Sequence, residues 1–297
     1  MKFQPVAEKK RSIILDTDIG PDCDDAGALA VLWRLQARYG FDVPAVINCT
    51  SNPYGCGTIR AINRYYGHGG VAVGMYEKEG FLADSSRYSP GVCEAFGEEP
   101  GGEDSLEVYR RVLTAAEDDS VILVTIGPLT TAARLLREER ELFAAKIHAV
   151  VSMAARYPSG REYNVYCQAE DGSYFFNNLP EGCPCVFSDF DIGWKIFTGF
   201  TPEDEEEYGN TPVFLAYKLH TDGRLVNSSY DLTAVHFAVT GETDGMYGLT
   251  EALRCEIDTE GNNVFTPDPK GGCYCMTKLK SDEELAAYYN ALLREKP

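Results

Sequence analysis

Histidine is nearly missing from this chain: there are four in 297 residues, His68, His148, His220 and His236, scattered along the sequence. Cysteine occurs ten times but never as C-x-x-C; the closest pairs, Cys183/Cys185 and Cys273/Cys275, are C-x-C. These two shortages remove the spacing that zinc or a dithiol redox centre requires. A long chain rich in Val, Ile and Leu needs no disulfide framework either, so the thiols read as free. Basic residues are also few. Against 46 Asp and Glu stand 27 Lys and Arg, a formal net charge of −19, which repels phosphate backbones and anionic headgroups and argues against nucleic acid and membrane surfaces as partners. No apolar run approaches the ~18 residues of a spanning helix, and "MKFQPVAEKKRSIILD" has no apolar segment behind its basic residues. The chain reads as soluble and cytoplasmic, with 44% hydrophobic residues to build an enzyme-sized core.

What is present is an alternation of apolar strand-like runs with helical patterns, the mark of βα units around a parallel sheet. Residues 12–15 ("SIIL") read as a buried strand, followed by a helix with Leu29, Leu32, Trp33 and Gln36 at helical spacing and Asp24 or Asp25 suited to cap it. Further strands are expected at 43–50, 71–75, 120–127 and 147–153 and in "CPCVFSD", with helices through "GTIRAINRYYG", 105–117, "LTTAARLLRE" and "SSYDLTAVHFAVTG". The predicted fold is α/β, a mostly parallel, Rossmann-like central sheet flanked by helices, in one domain spanning 1–297. Residues 255–280 read as a late β-hairpin and 281–296 as a terminal helix. "TPEDEEEYG" carries the signature of a solvated helix start. No linker, repeat or low-complexity tract interrupts the chain. Ligands of such sheets sit at the carboxyl ends of the strands, where Asp16, Gly127, Ala154 and Asp189 would lie.

The densest chemical signal is "ILDTDIGPDCDDAGALAVL" (14–32), with Asp16, Asp18, Asp22, Asp24 and Asp25 within ten residues. Two carboxylates about 4 Å apart repel by roughly 4 kcal/mol at an effective dielectric near 20, so several cannot remain ionised in one cleft without a cation. Helix capping accounts for one or two of them, not five. Oxygen-only ligands around a glycine-containing turn favour a hard ion, and Ca²⁺ tolerates mixed carbonyl and hydroxyl ligands better than Mg²⁺. An EF-hand starting at Asp16 would need Gly and Glu where Pro21 and Gly27 stand, so that pattern fails. A haloacid-dehalogenase-type phosphatase would use Asp16 and Asp18, but it needs Thr or Val where Gly20 stands and has no use for "DCDD".

The residues resemble the inosine/uridine-preferring nucleoside hydrolases, whose N-terminal signature is a strand followed by D-x-D-x-G-x-D-D-A. Here it is present as "DTDIGPDCDDAGAL", with two residues inserted. Four more blocks follow over residues 13–240: Asn52 in "CTSNP", "LVTIGPLTTAARLL", "REYN" with Glu162 and Asn164, and "SSYDLTAVHFAV" with Asp231. The resemblance implies a calcium-dependent hydrolysis of the N-glycosidic bond of a ribonucleoside or related N-riboside, releasing ribose and free base. It implies Asp18 as calcium ligand and general base, with Asp25, Asp231 and the Ile126 carbonyl completing the metal site. Asp24 would face the ribose hydroxyls, Glu162 and Asn164 would bond the far hydroxyls, and Asn52 would lie near ribose and base. Asp16 would brace the loop, and Asp22 is the alternative to Asp24 if the insertion is threaded differently. Family members are commonly dimers or tetramers, which makes a homo-oligomer the expectation.

Such chemistry passes through a ribosyl cation, which preorganised negative charge stabilises. The departures from the pattern are informative. Tyr230 stands where the family has a histidine proposed to protonate the leaving base, and a phenol is a poor acid at neutral pH, though it can pack against a base. Arg156 and Arg161 replace expected Gly and Asn; surface ion pairs are the expectation for them, a site for a carboxylate or phosphate substituent the alternative. Tyr54, Tyr157, Tyr163 and Tyr230 offer ring faces, for which packing is the ordinary use. A ribose-binding protein of the same fold without catalysis is the competing function.

Overall fold

The computed structural model describes residues 3–297. Eight strands run parallel: β1 (Ser12–Thr17), β2 (Ala45–Asn48), β3 (Ala72–Met75), β4 (Glu103–Asp104), β5 (Val121–Thr125) and β6 (Ile147–Met153) come first, and after the short β7 (Ser159–Arg161) comes β8 (Cys185–Ser188). Two short strands, β9 (Phe197–Gly199) and β10 (Val226–Ser228), pair with each other outside the main sheet. The chain closes with β11 (Tyr247–Leu249), β12 (Leu253–Ile257), β13 (Asn262–Pro267) and β14 (Cys273–Lys278), the eighth parallel member, before a helix over Asp282–Arg294. The sheet order is β4-β3-β2-β1-β5-β6-β8-β14, all parallel, continued antiparallel by β12-β13-β7, with β11 beside β14.

The parallel strands read as continuous apolar runs because both faces are covered. In β1, Ile13 and Leu15 enter a core shared with Trp33, Phe214 and Phe237, while Ile14 enters the opposite core with Leu106, Tyr109 and Leu136. The Asp24–Tyr39 helix lies in the first of these layers, packed by the Tyr230–Thr240 helix, so that its residues 24–35 are buried all round. Gly27 permits that approach, since a Cβ there would sit 3.1 Å from Leu232 Cδ1 of that helix and 2.5 Å from the Tyr217 hydroxyl of the Pro212–His220 helix. Contrary to the expectation from the sequence, neither Asp24 nor Asp25 caps the Asp24–Tyr39 helix. They occupy its first turn behind Cys23, whose side chain makes no capping bond, because both carboxylates have other partners.

The late hairpin is present, but as β12 and β13 over 253–267. The remainder of 255–280 crosses back as β14 to pair in parallel with β8, through Cys273↔Cys185 and Cys275↔Phe187. The ten cysteines are all free thiols. Thr201 and Asp204 form a reciprocal capping box, as "TPED" predicts. Among the described residues no helix is long and apolar enough to cross a membrane.

Candidate active site

Strand order turns at β1 and β5: β2 to β4 build outward on one side, β5, β6 and β8 on the other. Loops leaving adjacent strands there diverge and open a crevice, the usual ligand position in such sheets. A cavity of about 340 Å³ lies there, near the lower end of the ~300–1,000 Å³ typical of small-molecule sites. Its walls include Asp18 from the loop after β1, Ile126 after β5, Met153 at the end of β6 and Phe190 after β8. Asp22, Asp24, Asp25, Glu162, Asn164, Tyr230 and Asp231 also line it. Of the residues to which the resemblance gives a role, Asp16 and Asn52 stand outside the lining, as do Gly127, Ala154 and Asp189 at the strand ends and the rings of Tyr54 and Tyr157.

The acidic floor is assembled from two distant segments. One carboxylate oxygen from each of Asp24, Asp25 and Asp231 lies within 4.8 Å of the others, all three buried. Asp24 Oδ2 accepts the backbone N–H of Asp231 at 3.1 Å, which ties the two helix starts together. Asp25 accepts the Thr17 hydroxyl and stands beside the Asp18 carboxyl. Burial raises the pKa of Asp18 to about 8, with the charges of Asp24 and Asp22 adding to it. Burial likewise raises Asp24, Asp25 and Asp231 well above the carboxylate range, each helped by its acidic neighbours. Among the described residues none of these four is paired with a lysine or arginine. Two helix N-termini contribute about 0.3–1 kcal/mol each, too little against mutual repulsion of several kcal/mol. An oxygen-only, buried and uncompensated donor set fits a hard divalent cation.

Asp16 supports this floor from beneath. It is fully buried at the end of β1, accepts hydroxyl bonds from Tyr109 and Thr131, and its pKa is raised by burial to about 7. The backbone N–H of Ile126 donates to the Asp16 carbonyl at 2.8 Å, and Gly127 follows where a Cβ would lie 2.7 Å from Asp18 N and 2.8 Å from Asp18 Oδ1. The glycine of "TIGPLT" is thus what lets the β5 loop press against Asp18. Asp22 is held apart: it accepts from Asn227 Nδ2 and faces His220 Nε2 at 3.4 Å, so Asp24, not Asp22, stands with Asp25 and Asp231.

Opposite the floor, Glu162 caps the Tyr163–Tyr166 turn, accepting the N–H groups of Asn164 at 3.0 Å and Ala155 at 3.2 Å; burial raises it to about 7. Asn164 Nδ2 donates to the Met153 carbonyl at 3.0 Å. Asn52 is buried as the N-cap of the Pro53–Tyr65 helix, accepting from the Tyr54 N–H at 3.1 Å, which is why it does not line the cavity. Tyr230 lies in a tilted ring pair with Phe190 at 5.2 Å, and burial raises its phenol. The expected surface ion pairs of Arg156 and Arg161 are not formed among the described residues; each guanidinium lies over an aromatic ring instead. Sequence reasoning missed Tyr109, Thr17, Phe190 and Tyr166. Phe190 could have been found, since it follows Asp189 at a predicted strand end, whereas nothing in the local sequence marks Tyr109.

The family model described as inosine-uridine preferring nucleoside hydrolase matches residues 13–269. The chain belongs to this family. Its members act on N-glycosyl compounds, so the haloacid-dehalogenase alternative is set aside. Among solved structures, an inosine-guanosine nucleoside hydrolase superposes with a TM-score of 0.73 at 18% identity, covering 97% of this chain and 99% of that one. The inosine-uridine preferring nucleoside hydrolase from Bacillus anthracis gives 0.73 at 15% identity, over 96% and 99%. The type III effector protein XopQ complexed with adenosine diphosphate ribose gives 0.69 at 14%, over 96% and 92%. At these identities the likeness carries the fold, a nucleoside hydrolase α/β sheet. No curated protein sequence matches significantly.

Proposed function

We propose that this protein is a calcium-dependent N-ribohydrolase that splits a ribonucleoside or related N-riboside into ribose and free base. The observation that carries it is that Asp18, Asp24, Asp25 and Asp231, the last three with oxygens within 4.8 Å of one another, line one cavity together with Glu162, Asn164 and aromatic rings. Breaking an N-glycosidic bond builds positive charge on the ribose ring, and a preorganised anionic floor stabilises it without reorganising at the moment of reaction. Asp18, at the mouth of the β1 loop, takes the proton from the attacking water. Asp24, Glu162 and Asn164 hold ribose hydroxyls, and the Phe190 and Tyr230 rings flank the base. Asp25 and Asp231 would hold the ion together with Asp18 and Ile126. Bound there, it would supply positive charge that keeps these carboxylates ionised and would polarise water and sugar hydroxyls.

The test is release of reducing sugar and free base from a panel of purine, pyrimidine and nicotinamide ribosides. Asp18→Asn is expected to lower turnover by roughly 10²–10⁴-fold, the usual worth of a general base, without lowering the melting temperature of the chelator-treated protein. A second reading, riboside binding without cleavage, has one observation in its favour. Among the described residues no histidine lines the cavity, and the phenol in the leaving-group position is shifted away from acidity. The similarly folded XopQ holds adenosine diphosphate ribose in its structure, a compound built from ribosides. Saturable binding of ribosides with no cleavage across the panel would establish that second reading and remove the first.

A further inference from the structure

Two cations face this cavity, and the proposed chemistry uses neither. Arg156 and Arg161 both line it. Ten of the sixteen arginines are in ion pairs with carboxylates; among the described residues these two, like Arg34, Arg87, Arg140 and Arg224, are in none, and of those six only these two line the cavity. Arg156 lies 3.8 Å above the Phe190 ring and Arg161 4.2 Å above that of Tyr166, both rings being part of the same wall. A ring face fixes the guanidinium plane while leaving its N–H edge for a planar or tetrahedral anion. Arg161 gives its Nε–H to the Glu260 carbonyl at 3.0 Å, which holds the stem and leaves the terminal nitrogens.

The backbone that presents Arg156 is locked from several directions. Ala155, fully buried, has φ 70°, a left-handed conformation that residues with a Cβ avoid. It is held there by its N–H to Glu162 Oε2 and by the Phe190 N–H on its carbonyl, each 3.2 Å. Buried Asn263 then clamps Arg156 itself, accepting its N–H at 3.0 Å and donating to its carbonyl at 2.7 Å. Gly160 makes room for the stem, because a Cβ there would lie 2.8 Å from Arg156 Cβ. Backbone strain that the surroundings over-determine is concentrated at functional positions. Here it sets one unpaired guanidinium on the wall of a pocket.

We infer that Arg156 and Arg161 form an anion subsite, and that the riboside this protein takes carries a phosphate or carboxylate group. The inference rests on the N-riboside reading of the acidic floor for the rest of the ligand. Two guanidiniums can grip an anion through paired N–H···O bonds, which a neutral nucleoside cannot exploit.

Uridine, uridine 5′-monophosphate and orotidine share one ring system and differ in their anion: none, a phosphate on the sugar, a carboxylate on the base. Each is titrated into the calcium-loaded full-length protein, following thermal stabilisation and, in parallel, base release. At least one anionic ligand is expected to reach half-saturation at a concentration tenfold or more below that of uridine, and which one does so assigns the phosphate or the carboxylate. Arg156→Ala with Arg161→Ala should bring that ratio near one, while Arg156→Lys, which keeps the charge and the fold, should retain part of it. A wild-type ratio near one, no response to either anionic ligand, or a ratio unchanged in the double variant would each overturn the subsite. Stabilisation is read without turnover. A preserved tenfold ratio with no base release from these ligands or from the purine and nicotinamide ribosides of the panel would therefore sink the hydrolytic reading and leave the subsite standing.

Discussion

The carboxylates around this cavity differ in role because their neighbours differ. Asp16 is surrounded by hydroxyl donors and faces no other acid at contact, Asp24 is bonded to a helix N-terminus, and Glu162 is held by backbone N–H groups alone. Glu162 offers the cleanest view of burial, since burial outweighs both the backbone bonds and the Arg156 charge that favour its ionised form. Its pKa rises from 4.5 to about 7 on folding. The folded state therefore prefers the neutral acid: the contribution is fully present below pH 4.5 and is lost as pH rises to about 7. The loss amounts to about 3 kcal/mol. Denaturant melts of wild type and Glu162→Gln across pH 4–8 should show the wild type losing roughly that much relative to the variant over this window; parallel curves would mean that the carboxyl is solvated. At this scale the aspartates were legible because five acids in ten residues exceed what capping needs. Tyr109 and Thr131 were not, because a hydroxyl becomes a support only when the fold brings it to an acid.

The elements that position the site were largely legible, for the reason that made them easy to form. Buried parallel strands are apolar on both faces, so β1, β2, β5 and β6 stand out as runs, whereas β4, β7, β9 and β10 are two or three residues long and set by their partners. The pairing of β14 with β8 could not be read at all, since strands almost ninety residues apart carry no local mark of adjacency. Gly127 shows how an element boundary determines chemistry. A methyl group there would meet Asp18 N and Cys49 Sγ at 2.7 Å, closer than packed atoms approach, and both belong to the loops that must stay in place. Gly127→Ala is expected to cost about 1–3 kcal/mol of stability by overpacking. It should also cut turnover by up to about 10²-fold, because a displacement of ~1 Å at a reacting group is enough to do so. Gly70, which has nothing within 4 Å and no left-handed backbone, is the control: Gly70→Ala should change stability by no more than about 0.5 kcal/mol. Equal melting temperatures and rates for the two variants would show that the β5 loop yields without disturbing Asp18.

At the scale of the whole molecule, a surplus of 19 negative charges draws cations toward every acidic surface, but among the described residues one region joins four buried carboxylates from two distant segments. The floor is supplied by the loop after β1 and by the start of the Tyr230–Thr240 helix, more than two hundred residues later, so folding itself must bring like charges together. A cation that binds only the folded arrangement shifts the equilibrium by mass action, by about 2.7 kcal/mol when present at a hundred times its dissociation constant. For a chain of this size that is a rise in melting temperature on the order of 5 °C. Calcium added to chelator-treated protein should give that rise, magnesium a smaller one because it demands a stricter octahedron of ligands, and Asp231→Asn should abolish both. Zinc in stoichiometric amount after purification would overturn the choice of a hard ion, whereas melting curves that coincide with and without calcium would mean that the aspartates keep protons instead of an ion. The repulsion calculated for the floor would then be relieved by neutral acids, and the charge that is meant to stabilise a ribosyl cation would not be there.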